Sequence, residues 1–149
     1  MRLLAIDYGT RRVGFAVSDP SESFVFPVGV AEVTSDAGAI DAIERAVREH
    51  DAEELVLGLP LNMDGSEGPS AARVRRFAQG VADRVKLAVR LVDERQSSLE
   101  AEAALVERKR GGEKMTRRRK KSQLDALAAV EFLRAHVEGE RPAIATVGS

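Results

Sequence analysis

Residues 3–17 read Leu3-Leu4-Ala5-Ile6-Asp7-Tyr8-Gly9-Thr10-Arg11-Arg12-Val13-Gly14-Phe15-Ala16-Val17, two short apolar runs joined by a polar turn. Such runs are too short for helices and have the length of strands. A third run, Phe24 to Val33, is rich in Val and Phe, so the chain opens as an antiparallel meander of three strands. Working outward, Asp36 can cap a helix over 37–50 whose Ile40, Ile43, Ala46 and Val47 share one face. Leu55-Val56-Leu57-Gly58-Leu59 is apolar on both faces, as a central parallel strand requires, and Pro60 ends it. Pro69 opens a second helix to about Val85, with Ala72, Val74, Phe77, Ala78 and Val81 as its apolar stripe. Val89 to Val92 is a fifth strand, and Ser97 or Ser98 caps a helix over 99–108. A basic loop with Gly111-Gly112 follows, then a last helix from about Ser122 to Val137.

The expectation is an α/β fold in which one five-stranded mixed sheet, three antiparallel strands and then parallel ones, is flanked by helices. It occupies residues 1–138, and residues 139–149, which include Pro142, form a flexible tail.

With 149 residues the chain can bury about two-thirds of its unfolded surface, enough for one core without cross-links. Cysteine is absent, which excludes disulfides, thiolate catalysis and cysteine-ligated zinc and points to a reducing compartment. The opening residues are too short for a signal-peptide core, and no apolar run approaches a membrane span, so a cytoplasmic location is expected. His50 and His136 each stand alone and suggest neither a triad nor a metal site.

The net charge of -1 conceals a separation. Residues 108–121, RKRGGEKMTRRRKK, carry +8 and leave -9 on the rest. A polyanion would meet that segment, Arg117, Arg118, Arg119, Lys120 and Lys121 above all; a solvated loop is the plainer alternative.

Sites in α/β sheets gather beyond the carboxyl ends of strands. Asp7 ends the first predicted strand, and Asp93 and Glu94 end the fifth. Asp125 sits at the margin of the apolar face of the last helix, where Ala128 and Ala129 let helix and sheet approach closely; it could also serve only the helix N-terminus. Several carboxylates without an evident base suit hard Mg²⁺ or Mn²⁺, two of which can activate water and stabilise a leaving oxygen at a phosphodiester.

Four blocks carry a resemblance: Ala5-Ile6-Asp7-Tyr8-Gly9-Thr10-Arg11-Arg12-Val13-Gly14, Val56-Leu57-Gly58-Leu59-Pro60-Leu61-Asn62-Met63-Asp64-Gly65, Asp93-Glu94-Arg95 with Ser97-Ser98, and Asp125-Ala126-Leu127-Ala128-Ala129. In this order, from about residue 2 to 137, the chain resembles the YqgF family, also called RuvX, described as pre-16S rRNA nucleases and as Holliday-junction-resolvase-like proteins. The resemblance implies an RNase H-like fold and a nuclease with catalytic metal ligands at Asp7, Glu94 and Asp125, Asp93 being a substitute for Glu94. It implies Mg²⁺ or Mn²⁺, two ions, and substrate-positioning roles for Thr10, Arg12, Asn62 and Arg95. Where the family usually has Ser-Thr after the Asp-Glu-Arg block, this chain has Ser97-Ser98, which keeps a hydroxyl.

Arg11, Arg12 and Arg95 beside carboxylates would clamp a backbone phosphate with forked hydrogen bonds, or else pair with the acids themselves. One Tyr and no Trp leave little for base stacking, so recognition by shape and backbone is expected. The expected partner is structured RNA or branched DNA, in the first case within ribosomal precursor particles, and the chain would act as monomer or homodimer. Two rival readings fit the same residues. Asp7-Tyr8-Gly9-Thr10 also resembles the first phosphate loop of actin-like ATPases and sugar kinases, although one lobe is all this length allows. A non-catalytic RNA-binding adaptor would use the basic segment alone.

Overall fold

The computed structural model describes residues 1–94 and 117–148, with side chains described outside 117–126. Its elements are β1 (Leu3–Tyr8), β2 (Arg12–Ser18), β3 (Val25–Glu32), α1 (Asp36–His50), β4 (Glu54–Leu59), α2 (Pro69–Val85), β5 (Val89–Asp93), α3 (Arg117–Val137) and β6 (Ala145–Val147). The expected helix over 99–108 and the loop over 108–116 lie outside the described residues.

One mixed sheet runs β3-β2-β1-β4-β5-β6. β1 pairs antiparallel with β2 and β2 with β3, whereas β4 is parallel to both β1 and β5. Strand alternation sends Leu4 and Ile6 of β1, Leu55, Leu57 and Leu59 of β4, and Leu91 of β5 to the face covered by α1 and α2. Leu3, Ala5, Val56 and Val92 turn to the other face, where Ala129, Val130, Phe132 and Leu133 of α3 cover them. Phe132 and Leu133 are fully buried, and truncating either to Ala would cost about 2–5 kcal/mol by emptying that layer.

Four local expectations need correction. The sheet has six strands, because Ala145–Val147 pairs antiparallel with β5 instead of fraying; the β-branched Thr146 and Val147 suit an edge strand, and β5 would otherwise present an open edge. Arg117 to Lys121 belong to α3, which is helical from Arg117 and not from Ser122, as the good helix propensity of Arg and Lys permits. The N-cap of α1 is Ser35, whose Oγ accepts from the Gly38 N–H at 3.1 Å, leaving Asp36 for other partners. On α2 Ala71, with Ala78 and Ala82, is buried, and Ala72 faces outward.

Candidate active site

Asp7 is the next residue of β1, after Leu3 and Ala5, on the face that α3 covers, and it pairs with Gly14 of β2. On β5 the same face holds Val92, and Glu94 continues it just past the strand, its N–H donating to the Leu59 carbonyl at 3.3 Å. Between them stands β4, and its residue on this face is Gly58. A Cβ placed on Gly58 would stand 2.7 Å from Glu94 Cδ, 3.1 Å from its Cβ, and closer still to its Oε2. The Glu94 side chain thus folds back across a bare patch of β4 towards β1, where it hydrogen-bonds Asp7.

Two carboxyls this close cannot both ionise freely. Burial pushes the Glu94 carboxyl well above its ordinary 4.5, and the charge of Asp7, the hydrogen bond to Asp7 and the charge of Asp93 add to the rise; Arg141 opposes it. Asp93, one residue earlier, alternates to the α1–α2 side. Among the described residues no three acids or histidines converge as a metal site. The third carboxylate expected here, that of Asp125, is outside the described side chains; its position is on α3, one turn before the fully buried Ala129.

On the opposite side of β1, Tyr8 stacks on Phe77 of α2 with centroids 4.0 Å apart, and its hydroxyl donates to Asp36. Burial and then that hydrogen bond raise the phenol further above 10, so it stays a donor. The guanidinium of Arg73 lies 5.5 Å over the Tyr8 ring and pairs with Asp36 at 3.7 Å. Tyr8, Gly9, Thr10, Pro60, Ser70, Arg73, Val74 and Glu94 line a pocket of about 250 Å³ at the carboxyl ends of β1 and β4.

Thr10 also borders a second cavity, of about 730 Å³, with Arg11, Arg12, Glu32, Val33 and Thr34. Thr10 and Arg11 are exposed, while Arg12 is half-buried with its Nε lacking a hydrogen-bond partner among the described residues. Asn62 sits in the exposed 60–68 loop, its Nδ2 donating to Ser66 Oγ at 2.9 Å. A Leu61–Glu67 bridge and a forked Arg75–Glu67 pair, at 2.6 and 2.8 Å, hold that loop against α2. Arg95 lies outside the described residues, as do the side chains of Arg117 to Lys121.

Sequence reasoning missed three participants. Gly58 and Arg73 were given no role at the site, and Arg141 fell in the supposed tail over 139–149. Arg141 in fact donates from Nη1 to the Asp93 carbonyl at 2.7 Å, beside Glu94. Only Gly58 left a signal, a glycine inside an otherwise unbroken β-branched and leucine strand.

A mixed sheet of this order, flanked by helices on both faces, is the RNase H-like fold. The solved structure of Thermus thermophilus RuvC with a Holliday junction substrate has the same fold at TM-score 0.57 and 17% identity, covering 93% of this chain and 94% of that one. Fowlpox virus resolvase in complex with junction DNA matches at TM-score 0.55 and 11% identity, covering 93% and 98%. Residues 1–138 match the family described as "RuvX: Holliday junction resolvase", and the chain belongs to that family. A relative from Maridesulfovibrio salexigens, named "Putative pre-16S rRNA nuclease", is 40% identical over 87% of this chain and 92% of its own. One of the same name from Escherichia coli O157:H7 is 37% identical over 91% and 95%.

Proposed function

We propose that this chain is a divalent-metal-dependent nuclease that hydrolyses phosphodiester bonds, and that its task is maturation of the 5′ end of pre-16S rRNA during ribosome biogenesis. The observation that carries the reading is the contact of Glu94 with Asp7 across Gly58. A protein gains nothing in stability by pressing two acids together, and a hard cation with oxygen ligands relieves the repulsion.

Asp7, Glu94 and Asp125 are the ligands, with Asp125 one turn ahead of Ala129 on the α3 stripe that packs on β1. Mg²⁺ or Mn²⁺, as two ions, supplies an activated water and stabilises the leaving oxygen. Asp93, on the opposite strand face, is the weaker candidate of the neighbouring pair. Thr10, Arg11, Arg12, Asn62 and Arg95 position the backbone, and Arg117 to Lys121 draw it in. Those five cations open a helix whose amino end is itself electropositive, so both attract a polyanion. The activity would be exercised in the cytoplasm; among the described residues no helix is long and apolar enough to cross a membrane.

The names borne by relatives at 33–40% identity favour an RNA precursor. The family's own description favours a second reading, resolution of Holliday junctions. Junction cleavage needs two sites and hence a dimer, whereas end-trimming needs one. The deciding experiment offers purified protein a synthetic RNA spanning the 5′ precursor end of 16S rRNA and a four-way DNA junction, with Mg²⁺ or Mn²⁺. Asp7→Asn, Glu94→Gln and Asp125→Asn should each slow hydrolysis by orders of magnitude while binding persists. Unchanged cleavage in all three ends the nuclease reading, and cleavage of the junction alone transfers the function to DNA.

A further inference from the structure

We propose that Arg73, with Ser70 and Thr10, forms a phosphate subsite holding a backbone phosphate one or two nucleotides away from the bond that is cut. The inference rests on the nuclease reading of the Asp7–Glu94 pair and adds a contact that orients substrate at that pair.

Four observations converge on it. First, Arg73 and Glu94 are walls of one 250 Å³ pocket, so an anion seated on Arg73 lies in the same space that the acid pair borders. Second, the guanidinium is held in place: the Tyr8 ring lies beneath it, and Asp36 both pairs with Arg73 and accepts from the Tyr8 hydroxyl. Tyr8 is fixed in turn by stacking on Phe77 at 4.0 Å. A stacked arginine keeps its edge free for forked hydrogen bonds, and its five N–H donors exceed what Asp36 and Tyr8 take up. Third, the α2 N-cap is Gly68, with no side-chain cap, and Ser70 follows Pro69 on the pocket wall, so the amino end of α2 adds its field to the charge of Arg73. Fourth, Thr10 borders this pocket and the cavity of Arg11 and Arg12, giving two cationic stations on either side of one threonine. A single small anion needs one such station. A polyanion with regularly spaced charges uses both.

The side chain of Arg73 is about half exposed, so it adds little to stability through its pair with Asp36. The subsite would accept RNA or DNA alike, because phosphate carries no sugar or base identity.

The test walks a single uncharged methylphosphonate along the RNA precursor substrate and, in parallel, along the four-way DNA junction. Cleavage and binding affinity are both measured for the wild-type protein, Arg73→Ala and Arg73→Lys. The wild type should lose about ten- to a hundredfold when one particular phosphate near the cut is neutralised. Arg73→Ala should show that loss already on the unmodified substrate and no further loss at that position, and Arg73→Lys should recover part of it. Equal performance of Arg73→Ala and wild type on the unmodified substrate, or an undiminished methylphosphonate penalty in Arg73→Ala, overturns the subsite. Should Arg73→Ala fold poorly, the same comparison is made with Arg73→Lys alone. If the wild type cleaves neither substrate, the nuclease reading fails by itself, and the subsite is judged from the same walk read as affinity.

Discussion

Glu94 occupies the space that any side chain on Gly58 would fill: a Cβ there would stand 2.7 Å from Glu94 Cδ. The glycine is buried in the middle of the sheet, with Leu57 and Leu59 on either side of it committed to the core. Its lack of a side chain is therefore a condition for Glu94 to reach Asp7, and the two acids meet over it.

Gly58→Ala follows directly. The methyl group displaces the Glu94 carboxylate from Asp7, because neither strand can shift without disturbing the core. Steady-state cleavage should fall at least about a hundredfold, approaching Glu94→Gln, while far-ultraviolet circular dichroism stays that of the folded protein. Near-normal turnover would show that Glu94 works from another position.

Glu94→Gln should make the metal-free protein more stable. Burial and Asp7 raise the folded-state affinity of Glu94 for its proton. The associated stability is complete below the ordinary value of 4.5 and is lost as pH rises through the raised folded value. At pH 7 to 8 in EDTA the variant should melt a few degrees above the wild type, and near pH 4 the two should converge. Added Mg²⁺ should raise the wild-type midpoint and leave the variant almost unmoved. A variant that melts lower at pH 8 in EDTA contradicts this electrostatic account.

Arg141→Ala removes a positive charge that opposes the rise in Glu94 and frees the Asp93 carbonyl. The acidic limb of the pH–rate profile should move to higher pH, with a smaller drop in the plateau rate. Truncation after residue 140 should do the same and also lower the melting temperature, since β6 no longer covers the edge of β5. An unshifted acidic limb in Arg141→Ala would leave Arg141 a purely structural tie.

Replacing Arg117 to Lys121 with Gln should weaken binding of either nucleic acid and lower the slope of log affinity against log salt by up to about four or five, if all five contact phosphate. An unchanged slope would show that these five cations do not contact phosphate.

Asp19 reports on the turn that joins β2 to β3. Its carboxylate accepts from the Phe24 N–H at 2.9 Å, the Ser21 hydroxyl at 2.5 Å and the Ser23 N–H at 2.7 Å, which together pull it down to about 2. A lowered folded value contributes stability that is present above the ordinary 3.8 and is lost as pH falls through about 2. Asp19→Asn should therefore reduce the denaturation midpoint at pH 6, and the difference should shrink towards pH 2. A difference independent of pH would assign the effect to geometry and not to charge.

Much of the fold was legible in the residue pattern. β1, β4 and α2 fall where the apolar runs and Pro69 put them, because strand alternation, helical period and Pro at a first helical turn are properties of a few consecutive residues. The sixth strand was not, since Ala145-Thr146-Val147 is too short to announce itself and exists by virtue of the β5 edge. The cap of α1 moved from Asp36 to Ser35 for a related reason: both types cap helices, and the choice follows from Tyr8 and Arg73, which engage Asp36 from other elements.

Sequence alone determined that Asp7 and Glu94 stand at the carboxyl ends of apolar strands and that cations cluster near the last helix. Only the folded chain decided that β4 lies between those strands, that Glu94 crosses it at its one bare residue, that Arg73 rests on Tyr8, and that Arg141 returns to the same corner. Local pattern is written in neighbouring side chains. Which distant carboxyl, ring or guanidinium shares a pocket depends on strand order and on the empty space a missing side chain leaves, and both exist only once the sheet has closed.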